Sequence, residues 1–219
     1  MRALSSDKPP AGYARLISTP AGGKLAYDRV ELCEWFGDDA WLDDFVPGTV
    51  GAAYREFIRR NNISAAGLAE ESRRAAVNQP AFRHPHSWFG RRTRDIHDVW
   101  HVLTGYGTDG LGEGCVVAFS FAQTGAKGFA VIALGVARIG KKLRPDLPFY
   151  KCIWEAYQAG RKAAWLQGED YEALFAEPLD AARRRLNIGT PHTYRQILRE
   201  LARDPQTAPL ADTTIPSAA

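Results

Sequence analysis

The spacing of apolar residues along the chain is helical almost throughout. A stripe with a charged opposite face predicts a helix over residues 50–60, opened near Pro47. A second stripe runs from Tyr150 to Trp165 and stops near Gly168. Each stripe gives a helix one face to bury, so helix-on-helix packing is expected.

Helix start signals support the same interpretation. Thr190 followed by Pro191 predicts the beginning of a last helix. Ser64 is a suitable N-cap for an Ala-, Glu- and Arg-rich helix over residues 64–77. Alternation typical of a strand is weak and confined to residues 23–32. The sequence therefore predicts an all-α, multi-helix protein.

The chain shows no internal repeat and no linker that would divide it. We expect one helical domain over residues 13–203, preceded by a flexible segment 1–12 and followed by a disordered tail 204–219. The longest uncharged apolar stretch, residues 128–137, is shorter than the roughly 20 residues that a transmembrane helix needs.

Composition excludes some classes of protein. The 219 residues carry 28 Lys and Arg against 25 Asp and Glu, and this net charge of +3 does not indicate a nucleic-acid partner. Cys33, Cys115 and Cys152 are odd in number and lack CxxC spacing, so neither a disulfide framework nor a cysteine zinc site is predicted.

The candidate chemistry lies in one short segment. The pattern from Trp88 to Leu103 predicts a single helix that carries His97, Asp98 and His101. Residues three and four apart share a helix face, so the two imidazoles and this carboxylate should form one patch.

A fourth candidate follows a glycine-rich turn. Thr108 or Asp109 can cap a second helix from about residue 110 to 124, which places Glu113 in its first turn. If the two helices form a helix-turn-helix hairpin, Glu113 returns to the histidines. Two imidazoles and two carboxylates suit Zn²⁺ or another first-row divalent ion.

Three other interpretations compete. The HExxH motif of metallopeptidases places a glutamate as general base where this chain has Asp98. An HD-type phosphohydrolase would need a histidine upstream, for which His84 or His86 could serve, and an aspartate downstream, where this chain has Glu113. The residues could also form an ordinary solvated polar face.

The stretch "RTRDIHDVWHVLTGYGTDGLGE" closely resembles the HDxxH-x11-E signature of the coenzyme Q (ubiquinone) biosynthesis protein family numbered fourth in the eukaryotic series. The match falls on His97, Asp98, His101 and Glu113. It extends through "PGTVGAAYREFIRRNNIS" and "SWFGRRTR" upstream and "VVAFSFAQTG" downstream, and covers roughly residues 45–125.

The resemblance implies an all-α homodimer that associates peripherally with a membrane and with other ubiquinone biosynthesis enzymes. It also implies decarboxylation of a polyprenylated hydroxybenzoate, with hydroxylation of the same ring carbon, or instead a lipid-binding scaffold role. The four motif residues would hold the metal and serve the reaction. Zinc is the expected ion, but it has no redox chemistry, so iron or cobalt stays open if hydroxylation occurs here.

A prenylated aromatic acid needs an apolar groove. In the segment 115–137, we expect Phe119, Phe121 and Phe129 to form its walls and Gly128 and Gly135 to leave room for the chain. Close helix packing would use small residues in the same way.

Basic residues are candidates for binding the polar groups of such a ligand and of the membrane. Arg94, in a run with Arg91 and Arg92, could bind the substrate carboxylate through its guanidinium fork. The cluster 141–144, "KKLR", could rest on anionic lipid. In a bacterial cell, this predicts a cytoplasmic protein on the inner face of the cell membrane.

Overall fold

The computed structural model describes residues 11–62 and 84–203, and it confirms the all-α prediction, since neither range contains a β-strand. The first range holds five helices: α1 Ala11–Ile17, α2 Pro20–Asp28, α3 Leu32–Phe36, α4 Asp39–Asp43 and α5 Val50–Arg60. The second range holds eight more and a 3-10 turn: α6 Pro85–Asp95, α7 His97–Thr104, α8 Gly110–Thr124, α9 Lys127–Leu143, α10 Phe149–Lys162, the turn Leu166–Gly168, α11 Tyr171–Ala176, α12 Leu179–Arg185 and α13 His192–Arg203.

The weak strand prediction over residues 23–32 is wrong. These residues belong to the second half of α2, the following turn and the start of α3. The Thr19 side chain accepts the N–H of Gly22 and Pro20 occupies the first turn, so the chain enters a helix before the alternating stretch begins. Arg29 then ends α2 in the left-handed conformation, with φ 47°.

The single helix predicted from Trp88 to Leu103 is instead two helices. Ile96 is both the C-cap of α6 and the N-cap of α7, with ψ −5°. The break is confined to this one buried residue, because the Ile96 N–H still bonds Arg92 O and the Trp100 N–H bonds Ile96 O. No glycine or proline marks the position, so the sequence offers no signal for it.

Several boundaries also move. Thr49, rather than Pro47, caps α5, and α10 ends at Lys162, well before Gly168. Helix α1 begins at Ala11, inside the segment predicted to be flexible. The predicted helix 64–77 and most of the predicted tails lie outside the described residues, at 1–10, 63–83 and 204–219.

Helices α8, α9 and α10 pack closely on one another because glycines lie where they meet. A Cβ on Gly114 of α8 would stand 2.6 Å from Val136 of α9, and one on Gly160 of α10 would stand 2.6 Å from the Phe119 carbonyl oxygen. Backbones can approach this closely only without a side chain between them. Helix α8, which carries Glu113, is thereby fixed in the middle of the core.

The same contact brings together two cysteines that no spacing along the chain relates. Cys115 of α8 and Cys152 of α10 are buried, with their sulfurs 3.4 Å apart. All three cysteines are free thiols. Burial raises the pKa of Cys115, so this thiol stays protonated and behaves as a small apolar group.

A smaller core joins the first helices to α6. It consists of Leu16, Ala26, Trp88 and Phe89. The main core takes residues from α3, α4 and α5 and from every helix between α7 and α13. Among the described residues, no helix has both the length and the apolar character that a bilayer crossing requires.

Candidate metal centre

Helix α7 brings three of the predicted ligands to one place. Donor atoms of His97, Asp98 and His101 all lie within 4.8 Å of one another. The two Nε2 atoms are 3.3 Å apart, as expected for residues one turn apart on a helix. His101 is almost completely buried, whereas His97 is about one-third exposed, so the patch opens on the His97 side.

The turn after α7 is built to bring the chain back. Gly105 ends the helix in the left-handed conformation, with φ 74°, and its N–H bonds the His101 carbonyl oxygen. Asp109 then caps α8 by accepting the N–H groups of Leu111 and Gly112. A Cβ on Gly112 would lie 2.1 Å from the Gly107 carbonyl oxygen, so only glycine fits there.

Glu113 therefore reaches both imidazoles. Its two carboxylate oxygens lie 3.5 Å from His97 Nε2 and 3.5 Å from His101 Nε2, one oxygen to each ring. A carboxylate that spans two facing ring nitrogens is a donor set of the kind divalent cations use.

The inner imidazole is oriented by its surroundings. His101 Nδ1 lies 3.2 Å from the Tyr106 carbonyl oxygen, and the ring stacks on Phe57 with centroids 5.5 Å apart. A carbonyl can only accept, so Nδ1 carries the proton and donates. This tautomer leaves the Nε2 lone pair directed at Glu113 and His97.

Without a metal, the site favours a protonated His101 next to an ionised Glu113. Burial opposes a charge on His101, but the hydrogen bond and charge of Glu113, with that of Asp98, outweigh it and raise the pKa of His101. Burial likewise opposes the Glu113 charge, yet hydrogen bonds and charges from both histidines lower the pKa of Glu113 to about 2. Glu113 is therefore ionised at any physiological pH.

A tyrosine from the last helix holds the turn in place. The Tyr194 hydroxyl donates to Asp109 Oδ2 and accepts the Gly107 N–H at 2.8 Å. Its ring also packs edge-on against Tyr106, with centroids 5.3 Å apart. Tyr194 thus contacts both the cap of the Glu113 helix and the residue whose carbonyl orients His101. The sequence gives no sign of this role, because Tyr194 lies far along the chain in an ordinary helical stripe.

Tyr54 is a second residue that the sequence reasoning missed. Its hydroxyl is buried and, among the described atoms, has no hydrogen-bond partner. Burial and the nearby carboxylates of Asp98 and Asp95 raise its pKa, so the hydroxyl stays protonated beside the motif. Tyr54 thus places a buried hydroxyl close to the acidic residues of the motif.

The predicted arginines are bound to other groups. Arg94 donates to its neighbour Asp95 at 3.1 and 2.8 Å. Arg91 forms a two-pronged pair with Glu31, and Arg92 donates to backbone carbonyls. Arg91 and Arg92 are buried and stabilise the fold. Arg94 is held beside the motif by its pair with Asp95.

Two of these arginines also pair with the carboxylates of a second cluster of possible metal ligands. Donor atoms of Glu31, Cys33 and Asp95 lie within 4.8 Å of one another. Arg91 and Arg94 already supply two positive charges to its carboxylates. We therefore interpret it as an ion-pair network that joins α6 to the start of α3.

The residues predicted to line a prenyl groove separate into three groups. Phe119 is fully buried against Trp100 in the core and faces no groove. Phe121 is half-buried and stacks on Tyr157 of α10. Phe129, Gly128 and Gly135 belong to the surface of α9, and a Cβ on either glycine would meet nothing within 4 Å.

A cavity of about 740 Å³ borders His101. Its described lining comes from α5, the turn after α7, α12 and α13. Of the four motif residues, only His101 is among the described residues that line it. Among the described residues, the cavity therefore meets the motif at His101 alone.

The fold and this cluster define a class: an all-helical protein with a histidine and carboxylate centre on two successive helices. The family model of coenzyme Q (ubiquinone) biosynthesis protein Coq4 matches residues 13–192. The chain therefore belongs to this family, as the resemblance predicted.

Two relatives illustrate the match. The "ubiquinone biosynthesis protein COQ4 homolog, mitochondrial" of Nematostella vectensis is 29% identical over 181 residues, which cover 80% of this chain and 82% of that protein. The Rattus norvegicus protein of the same name is 29% identical over 183 residues, which cover 81% of this chain but only 64% of that protein. The chain thus spans less than two thirds of the rat protein.

A solved structure is similar in fold. The crystal structure of a Nostoc punctiforme protein, provisionally described as a ubiquinone biosynthesis protein, superposes with a TM-score of 0.53. It is 20% identical, and the match covers 81% of this chain and 80% of that one.

Proposed function

We propose that this chain acts in ubiquinone biosynthesis as a metal-dependent decarboxylase of a polyprenylated hydroxybenzoate, working at a membrane surface. Family membership supports the pathway. The observation that supports the chemistry is the Glu113 carboxylate lying 3.5 Å from the Nε2 atoms of both motif histidines.

The residues present fit a divalent cation. His101 donates its Nδ1 proton to a carbonyl, which is how proteins usually prepare an imidazole to bind a metal through Nε2. The low pKa of Glu113, about 2, keeps that carboxylate charged and able to bind. Two neutral imidazoles and two carboxylates suit zinc, and the same set suits iron or cobalt.

A bound divalent ion would supply Lewis-acid stabilisation to an oxygen of the substrate. The chain's own residues would do the rest. Tyr106 and Phe57 hold the His101 ring, and Asp109 and Tyr194 hold the turn. His97 and Glu113 are the exposed members of the set, so an aromatic acid would approach from their side.

The α8 surface offers a path for the prenyl tail. Val117 and Phe121 follow Glu113 at four-residue intervals and are half-exposed, so all three share one face. Phe121 stacks on Tyr157, which in turn contacts Trp154, whose surface is 58% exposed. An apolar track therefore leads from the motif to an exposed aromatic side chain, and the tail would lie along it.

The test combines metal content with product analysis. The purified chain should contain one divalent ion, and His101→Ala and Glu113→Gln should lose it. In a host whose own family gene is deleted, these variants should accumulate the carboxylated precursor. His192→Ala and Glu155→Gln, changes to the same residue types away from the motif, should behave as wild type. A metal-free wild-type protein that restores quinone synthesis would contradict the proposal.

A second candidate is a non-catalytic scaffold that holds lipid intermediates for partner enzymes. The observation in its favour is the group of exposed apolar side chains on α9 and α10, since exposed apolar patches mark surfaces that bind lipid or protein. This candidate predicts that Glu113→Gln leaves both lipid binding and quinone synthesis near wild-type levels.

A further inference from the structure

A small cleft lies where the end of α7 meets α12 and the start of α13. Its volume is about 200 Å³. Three arginines line it, namely Arg183, Arg184 and Arg195, against one carboxylate, that of Asp180. The cleft is distinct from the metal centre, since none of the four motif residues lines it.

Two of these guanidinium groups converge over Gly105. A Cβ on that glycine would lie 3.6 Å from Arg183 Nη2 and 3.6 Å from Arg195 Nη2, so the two nitrogens are separated by at most twice that distance. The glycine has φ 74° and no side chain, so nothing from residue 105 fills the space between them. Like charges this close repel each other unless an anion or a dipole compensates.

Other groups of the protein neutralise the positive charges of these arginines only in part. Arg183 donates to the Leu103 and Val102 carbonyl oxygens at the end of α7, at 2.9 and 3.0 Å. Its Nη1 lies 3.6 Å from Asp180, whose side chain is 81% exposed. Within residues 11–62 and 84–203, neither Arg184 nor Arg195 has a carboxylate partner.

Two nearby arginines, by contrast, form close ion pairs with carboxylates. Arg185, next to Arg184, binds Glu169 and Glu177 at 2.8 and 2.7 Å. Arg203, on the same helix as Arg195, binds Glu200 at 2.9 Å. In the described part of the chain, Arg184 and Arg195 thus lack the carboxylate that Arg185 and Arg203 have, which leaves an excess of positive charge in a concave space.

We propose that this cleft binds a phosphate group. Guanidinium forks pair with tetrahedral oxyanions through charged hydrogen bonds, and two converging forks can clamp one. The volume of about 200 Å³ accommodates a phosphate group with a few waters but not a nucleotide. The phosphate comes either from a free ion or from the head of a phospholipid, and both present the same chemistry. This site does not depend on the metal centre.

The experiment compares two exposed arginines one turn apart on α13. Phosphate binding to the full chain is measured by titration calorimetry, with chloride at equal ionic strength as the reference. Arg195→Gln should weaken binding by about tenfold, the scale expected when one charged hydrogen bond is lost. Arg199→Gln, which removes the same charge outside the cleft, should change it by less than about twofold. Circular dichroism should show that both variants remain folded.

A second arm distinguishes the two sources of phosphate. Vesicles of phosphatidylcholine with and without phosphatidic acid are tested by flotation with the same variants. If free phosphate binds and Arg195→Gln alone weakens it, the site takes the free ion. If only phosphatidic acid vesicles bind and Arg195→Gln alone weakens this, it takes a lipid head. Equal losses in both variants, or no binding of either probe by wild type, overturn the proposal.

Discussion

At the scale of single residues, the proposed metal binding depends on which atom of His101 carries a proton. The Tyr106 carbonyl oxygen fixes a proton on Nδ1 in both charge states, so Nε2 is the atom that titrates. Glu113 and Asp98 raise the pKa of His101 above its ordinary value of 6.5 despite burial. Under the proposed metal binding, an ion and a proton would therefore compete for this one nitrogen.

We expect metal affinity to fall as the pH falls, beginning above pH 6.5, because the raised pKa keeps His101 protonated at a higher pH than an ordinary imidazole. Chelator competition between about pH 5.5 and 8.5 would measure this. Phe57→Leu removes the stacked ring but no proton site and should retain the pH dependence. An affinity that is constant across this range would show that His101 does not bind the ion.

Spacing along the chain predicted which motif side chains come together, but it did not predict the residues that support them. His97 and His101 could be placed on one face because helical spacing is local, and Glu113 because a glycine-rich turn limits where the chain can go. Tyr194 and Tyr54 could not be predicted. Their roles arise from tertiary packing, which no spacing along the chain records.

At the scale of helices, the turn between α7 and α8 is positioned by α13. Tyr194→Phe should weaken metal binding by about tenfold, because losing the hydroxyl frees Asp109 and the Gly107 N–H and lets the turn move. Metal titration of purified protein would measure this effect.

The control is Ile197→Ala on the same helix. Ile197 is buried and has no polar side-chain atom, so its truncation should lower the unfolding midpoint while keeping the Tyr194 hydrogen bonds and the metal affinity. If both variants lose affinity equally, the hydroxyl has no specific role and only the packing of α13 matters.

Glycines in the three long helices provide a matched pair of substitutions. Gly160→Ala should cost about 1–3 kcal/mol of unfolding free energy, because a Cβ would lie 2.6 Å from the Phe119 carbonyl oxygen. Gly128→Ala, with nothing within 4 Å, should stabilise α9 by about 0.5–1 kcal/mol. Chemical denaturation measures both. Equal effects would mean that α8 and α10 are not packed as described.

Helix-scale predictions from the sequence succeeded where a cap or an amphipathic stripe marked the element, as for α5, α8 and α13. They failed at Ile96, where a break of one residue preserves most backbone hydrogen bonds and leaves no compositional trace. The strand prediction over residues 23–32 failed because Thr19 and Pro20, just upstream, start a helix whose buried face, at Gly22 and Ala26, is short.

At the scale of the whole molecule, one surface is conspicuously apolar. Helix α9 exposes Val131, Ile132, Leu134, Ile139 and Leu143 by half or more. Of the basic residues predicted to accompany it, Lys141 and Arg144 are engaged locally, with backbone carbonyls and Asp146 respectively. Lys142 remains exposed, so the apolar side chains would contribute more than charge to any contact with lipid.

We expect Val131→Ser combined with Ile139→Ser to reduce flotation with anionic vesicles severalfold, since these side chains are 72% and 61% exposed. Val46→Ser combined with Ile17→Ser is the control, because those residues are 66% and 49% exposed elsewhere on the surface. Sedimentation of the same proteins gives their mass. If the α9 variant changes mass but not flotation, this face joins two copies of the chain and does not contact the membrane.

The four motif side chains span only 17 residues, yet their geometry is completed from beyond that segment by Phe57 and by Tyr194 near the opposite end of the chain. A synthetic peptide covering this stretch, or a graft of it onto an unrelated helical scaffold, would therefore reproduce the donors without their alignment. Reproducing this geometry elsewhere would require the motif together with the helices that carry Phe57 and Tyr194, and therefore most of the fold.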